Sequence, residues 1–205
     1  MRSAERAGDA VRSAYSDRSA EYIDLFGSID AADPVDRERV SRWADGLTGP
    51  VLDAGCGPGH WTRHLAGRGL AAHGVDQVPE FVQRARREYP GLPFRLGSID
   101  ALDEGDASFG GVLAWYSLIH HEPSAVGTPL REFARVLAPG GGLLVGFFTG
   151  ERVERFDHAV IAAYRWPVDA LGGELDAAGF DVLEAHERIE AGQRPQGTLI
   201  ARRRG

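Results

Sequence analysis

In the stretch Val51-Leu52-Asp53-Ala54-Gly55-Cys56-Gly57-Pro58-Gly59, an acid is followed by three glycines at alternate positions. Glycine at this spacing permits positive φ and lets a ligand approach the main chain where a side chain would stand in the way. An apolar pair before it and helix-forming residues after it predict a strand, a tight turn and a helix N-terminus, a cradle of nucleotide size. A second acid, Asp76, ends the apolar run 71–75 about twenty residues on, where a carboxylate can grip a ribose diol through two charge-assisted hydrogen bonds. The dinucleotide fingerprint G-x-G-x-x-G is not met, because His60 stands where its third glycine belongs. The plain alternatives are a glycine turn of an unrelated α/β protein and, for Asp76, a solvated loop acid.

Other reactive side chains are few. His120 and His121 follow the apolar run 111–116, and imidazole titrates near neutrality, so His120 is the candidate base and His121 the weaker one; a packed structural histidine is the alternative. His60 and His64 lie one helical turn apart without an apparent third ligand, so no metal is expected. Cys56 is the only cysteine, which excludes an internal disulfide and suits a small residue inside the turn better than an activated thiol.

Elements must hold these residues. Residues 2–26 have helical spacing with Tyr15 and Tyr22 on one face, and Asp33-Pro34 reads as the cap and first residue of a second helix ending before Gly49. A first strand is expected to end at Val51-Leu52 and others to run over 71–75, 93–96, 111–116 and 143–148, with helices after the glycine turn, over 79–89, from a Thr128-Pro129 cap with Leu130, Phe133, Ala134 and Leu137 inward, and over 171–178. Residues 180–189 and 198–202 read as a closing strand pair, and 150–167 as an irregular substrate lid carrying Phe156, Tyr164 and Trp166. The expected fold is α/β: a doubly wound, Rossmann-like, seven-stranded sheet with one antiparallel strand at its C-terminal end. Residues 1–48 form an N-terminal helical cap on a single domain of 49–205.

The D-A-G-C-G-P-G-H string, the strand G-V-L-A-W-Y with its following turn, and L-A-P-G-G-G-L-L-V together resemble the class I S-adenosylmethionine-dependent methyltransferases over 51–148, although Ser108-Phe109-Gly110 lacks the acid of the S-F-D usual before the fourth strand. The resemblance implies S-adenosyl-L-methionine as cofactor, with S-adenosyl-L-homocysteine as product. It places Asp53, Gly55, Cys56, Gly57 and Gly59 at the amino-acid end, Asp76 and Gln77 at the ribose, Ser98 and Ile99 at the adenine, and Ala114 and Trp115 along the methionine part. Ser98 departs from the acid usual at its position, though a hydroxyl can accept the same bond, and Asp100 stands close by. Trp115 reads equally well as core. Tyr15 and Tyr22 imply a helix that folds over the cofactor, or else two aromatics that only hold the helix down.

Net charge is −7, every basic side chain is arginine, and Arg202-Arg203-Arg204 reads as a solvated end, so no nucleic-acid partner is expected. No apolar run approaches a membrane span and the polar start has no secretory core, so a cytoplasmic protein, monomer or homodimer, is expected. The expected activity is methyl transfer to a small organic molecule. Its rivals are a non-catalytic sensor or partner protein that binds the same cofactor, and an NAD-dependent oxidoreductase, which the glycine spacing and the absence of lysine disfavour.

Overall fold

The computed structural model describes residues 2–205, with side chains from residue 8 onward. Two helices, α1 (Arg2–Asp17) and α2 (Ser19–Phe26), stand where one was expected. The break falls at Arg18, which leaves helical geometry and turns its guanidinium to the Glu21 carboxylate and the Ala159 carbonyl. After a 3-10 turn (Ile29–Ala31) comes α3 (Pro34–Asp45), whose cap is as expected: the Asp33 carboxylate accepts from Val35 N at 2.8 Å, and Pro34 sits where no amide partner is needed.

The sheet begins with β1 (Val51–Ala54), which is buried along its whole length as a central parallel strand should be. Helix α4 (His60–Gly67), β2 (Ala72–Asp76), α5 (Pro79–Glu88), β3 (Phe94–Leu96), β4 (Phe109–Trp115), α6 (Gly127–Val136) and β5 (Leu137–Thr149) follow. Thr128 and Pro129 do not cap α6; the helix continues directly from the turn at 122–126, where Val126 N already donates to the Glu122 carbonyl. Leu137 belongs to β5 and not to the inner face of α6, because the chain leaves the helix at that residue in an extended conformation.

The order β3-β2-β1-β4-β5 is all parallel. Beyond β5 lies β9 (Gln196–Arg203), antiparallel to it, and then β8 (Phe180–Arg188), which follows α7 (Val168–Ala177). This is the seven-stranded sheet with one reversed strand. Two short strands, β6 (Glu154–Phe156) and β7 (Ala163–Trp166), bring the count among the described residues to nine and give the expected irregular lid the form of a hairpin. The hairpin joins the sheet where β4 has left it: β7 pairs with Phe148 and Thr149, while β9 occupies the other edge of β5.

Alternation sorts the core into two faces. Val112, Ala114, Val145 and Phe147 pack with Leu130 and Phe133 of α6 on one side; Leu113 and Leu144 pack with Val40 and Trp43 of α3 and Trp61 of α4 on the other. No helix among the described residues is long and apolar enough to cross a membrane.

Candidate cofactor and acceptor site

The glycine turn follows β1 directly, and all three glycines have positive φ: Gly55 at 82°, Gly57 at 53° and Gly59 at 90°. A Cβ on Gly55 would collide with that of Ser117, and one on Gly59 would stand 2.8 Å from the Phe94 ring, so conformation and space both require glycine at these two positions. The amides of the turn are already committed. Gly55 N and Cys56 N donate to the Val75 carbonyl, Gly57 N donates to Asp76 Oδ2 at 2.8 Å, and Gly59 N donates to the Cys56 carbonyl. A pyrophosphate cradle needs free N–H groups, and between Gly55 and Gly59 none is left.

Asp76 is the tie between β2 and this turn. Its other oxygen accepts from Val78 N at 2.8 Å, and each carboxylate oxygen keeps a lone pair for a diol. Burial pushes its pKa up to about 6 against the pull of these amides, which leaves it ionised at neutral pH. Asp53 turns inward instead and accepts the Thr62 hydroxyl at 2.6 Å; burial raises it to about 7, with the Asp76 charge adding to the shift. Cys56 is buried, which pushes its thiol well above the ordinary range, so it fills space as a small neutral residue.

Helices α1 and α2 lie over the turn. The nearest atom to a Cβ built on Gly57 is Tyr22 Cε1, at 3.9 Å, and the Tyr22 and Phe81 rings are 5.1 Å apart. Burial raises the Tyr22 phenol to about 12 and raises that of Tyr15 as well, so both are neutral donors. Gln77 faces the same helices, its Oε1 being 3.8 Å from a Cβ built on Gly8.

His120 ties these helices to the far side of the site. Its Nδ1 lies 3.0 Å from the Ala162 carbonyl, which only accepts, so that nitrogen carries the proton and Nε2 accepts from the Tyr15 hydroxyl at 2.9 Å. Burial lowers its pKa to about 4, in keeping with a neutral ring. Both ring nitrogens are thus engaged, and a base role would first require Tyr15 to let go. His121 Nε2 and Asp100 Oδ1 lie 2.9 Å apart, which joins the loop after β4 to the loop after β3. The Ser98 hydroxyl accepts from Asp100 N at 3.2 Å, and Ile99 packs partly buried against the core beside it.

Ala114 is fully buried inside β4, while Trp115 stacks between Trp61 and Tyr116 over Gly146. Ser117 lies in the turn after β4 that the resemblance implies, but the sequence did not single it out. Its Oγ is buried without a partner among the described residues and its Cβ faces Gly55, so it offers a free hydroxyl to whatever the turn holds. The signal was its place, just past the end of a central parallel strand. Of the three lid aromatics, Phe156 packs on Phe148 and His158 under the guanidinium of Arg165. Trp166 is only 5% exposed and belongs to the main core, with Tyr164 packed against that core beside it. No group of three metal-binding side chains, with His60 and His64 or elsewhere, occurs among the described residues.

Residues 51–141 match the family described as "Methyltransferase domain". The chain is 33% identical over 119 residues to malonyl-[acyl-carrier protein] O-methyltransferase of Erwinia billingiae, covering 58% of this chain and 45% of that one. It is 39% identical over 101 residues to trans-aconitate 2-methyltransferase of Methylobacterium nodulans, covering 46% of this chain and 36% of that one. The matched part therefore spans about half the length of these relatives or less. Among solved structures, the 1,6-didemethyltoxoflavin-N1-methyltransferase of Burkholderia thailandensis superposes with a TM-score of 0.81 at 23% identity over 98% of this chain and 91% of that one. The magnesium protoporphyrin IX methyltransferase of Synechocystis superposes with a TM-score of 0.76 at 19% identity over 96% and 97%. Residues 51–141 thus match a methyltransferase domain, and the strand order of the whole chain is the fold shared with the two solved methyltransferases.

Proposed function

We propose that this protein transfers the methyl group of S-adenosylmethionine to a small organic acceptor. The observation that carries the reading is the glycine turn whose amides are spent on Val75 and Asp76, beside an ionised Asp76 and an unpartnered Ser117 hydroxyl. Such a site suits an adenosyl amino acid, with a diol for Asp76 and polar atoms for Ser117, and it does not suit the pyrophosphate of NAD. When bound, the cofactor supplies a methyl group on a positively charged sulfur, a leaving group that needs no acid. The chain's own work is to hold donor and acceptor in line and to exclude water, worth several kcal/mol of barrier. Tyr15 and Tyr22 close the cofactor side, and His120 positions Tyr15 from the hairpin side. The acidic surface and a roof made of two helices and a hairpin favour a small, soluble acceptor, handled in the cytoplasm by a monomer or homodimer.

Calorimetry with S-adenosylhomocysteine and NAD side by side tests the cofactor, with heat expected from the first alone. Labelled S-adenosylmethionine incubated with a metabolite extract then tests transfer, with label expected in a small product. Tight binding without transfer would turn the reading toward a sensor, and no heat from S-adenosylhomocysteine would sink it.

A further inference from the structure

Tyr116 follows β4 with a φ of 56°, in the left-handed region that a bulky side chain rarely enters. One other non-glycine among the described residues shares that region, Ala107, a small exposed residue in a surface turn; Tyr116 is half-buried and stands where β4 gives way to the site. Such a conformation persists only where its surroundings impose it, and here they do. Tyr116 N donates to the Gly146 carbonyl at 2.9 Å, which carries the pairing of β4 with β5 one residue further. Strand alternation would send the side chain to the α6 face with Val112 and Ala114. The ring lies instead 5.3 Å from Trp115, which packs on the α3 face, and 5.0 Å from Phe148.

The residue that this step delivers is Ser117. A Cβ built on Gly55 would stand 2.4 Å from Ser117 Cβ and 3.3 Å from its Oγ, and the three atoms nearest to that Cβ all belong to Ser117. Ser117 therefore rests directly against the first glycine of the turn. From the β2 side the turn is tied by its amides, to the Val75 carbonyl and to Asp76. No hydrogen bond among the described residues joins it to the loop after β4, so on that side Gly55 is held by the Ser117 side chain alone. An ordinary negative φ at 116 would swing the following chain through roughly 120° or more and take Ser117 away from Gly55.

We propose that Tyr116 is a positioning residue for the cofactor: its left-handed step seats Ser117 against Gly55 and so fixes the glycine turn in the form that the cofactor occupies. The inference rests on the methyltransferase reading and adds to it a residue that acts through its neighbour. What matters at 116 is then the backbone conformation, more than the ring or the phenol.

Calorimetry with S-adenosylhomocysteine on the full chain tests this with substitutions that separate backbone from side chain. Glycine accepts a φ near 56° but abolishes the ring, whereas valine keeps some apolar volume and fits that φ worst. Tyr116→Val should weaken binding about 10- to 100-fold and Tyr116→Gly no more than about threefold, the scale expected when binding groups move by about an ångström. A residue that only packs would give the reverse order. Tyr116→Asn and Tyr116→Leu repeat the comparison with side chains of similar size, of which asparagine tolerates the left-handed region, so a Tyr116→Val chain that fails to fold leaves the test intact. Tyr116→Asn should bind several-fold more tightly than Tyr116→Leu. In a Ser117→Gly background, adding Tyr116→Val should change the affinity by less than about twofold, because the step then has no side chain to seat. Reversal of the order in either pair, or a full further loss in the Ser117→Gly background, would overturn the assignment and leave the cofactor reading standing. No heat from the unaltered protein would overturn both.

Discussion

The two halves of the site are built by different means. The cofactor half is one continuous turn and the ends of two adjacent strands, with Gly57 N on Asp76 as its main tie, and its geometry is dictated by backbone. The half proposed for the acceptor is assembled from distant parts of the chain: Tyr15 bonds to His120, which bonds to Ala162, while α3 reaches Arg188 of β8. Backbone-defined sites tolerate little and vary little; side-chain-defined sites can be rebuilt without touching the fold. The contrast predicts a gradient of mutational effects.

The largest effect is expected at Gly55. A valine there must adopt φ near 82° and drive its Cβ into Ser117, so Gly55→Val should lower S-adenosylhomocysteine affinity by more than about 100-fold in calorimetry and cost about 3 kcal/mol in denaturant unfolding. Near-normal affinity would mean that the turn is softer than its contacts suggest and would erase the contrast between the halves. Next comes Trp166, which underlies the acceptor half but is part of the common core. Trp166→Ala should cost about 3–5 kcal/mol of stability, measured by urea unfolding.

The cofactor half also carries a pH signature. Asp53 and Asp76 have folded pKa values raised to about 7 and about 6 by burial, so between pH 4 and 7 the folded chain binds more protons than the unfolded one. Their contribution is therefore greatest below pH 4 and is lost as pH climbs through 6 and 7. The ligand-free protein should lose several kcal/mol from this source, the larger part of it from Asp53, and Asp53→Asn should flatten that limb of a stability–pH profile. A profile unchanged by Asp53→Asn would show that this carboxylate is not the titrating group.

How far the sequence disclosed these halves follows from the same contrast. The turn, Asp76 and the strand order were legible because glycine spacing, an acid at a strand tip and apolar periodicity are local constraints written in neighbouring residues. The Ser117 hydroxyl facing the turn and the Tyr15–His120 tie were not, because they depend on the left-handed step at Tyr116 and on a contact between α1 and the loop after β4. The 150–167 segment read as irregular because β6 and β7 are only three and four residues long, too short for alternation to show. For the same reason Trp166 and Phe156 looked alike in sequence, although one lies in the core and the other packs beneath arginines. Ser98 and Asp100 were close in sequence, but which of them bonds across to His121 was settled only by how the loop after β3 turns.

Tyr15→Phe probes the seam between the halves. It removes the O–H donated to His120 and leaves the ring among Tyr22 and Phe81, so cofactor affinity should fall about fivefold, in line with one hydrogen bond of about 1 kcal/mol, with stability little changed. With Nε2 released, the His120 pKa should rise from about 4, which a histidine NMR titration would detect. No change in affinity would mean that Tyr15 only fastens the helix.

The smallest effect on folding is expected at Phe156. Its ring packs on Phe148 and His158 and lies under Arg165 and Arg194, with its centroid 4.9 Å and 5.3 Å from the two guanidinium carbons. Cation–π contacts at such partly exposed positions contribute about 0.5–1 kcal/mol, and truncation at a half-buried position leaves a dent that water can fill. Phe156→Ala should therefore cost no more than about 1 kcal/mol, against several for Trp166→Ala ten residues along, and leave S-adenosylhomocysteine affinity unchanged. If the hairpin roofs the acceptor, KM for the acceptor should rise while kcat changes less, because packing against bound substrate is lost and the turn that holds the cofactor is untouched. Equal stability losses at 156 and 166 would show that the hairpin is core throughout, and the division between a fixed cofactor half and a replaceable acceptor half would then end at β5.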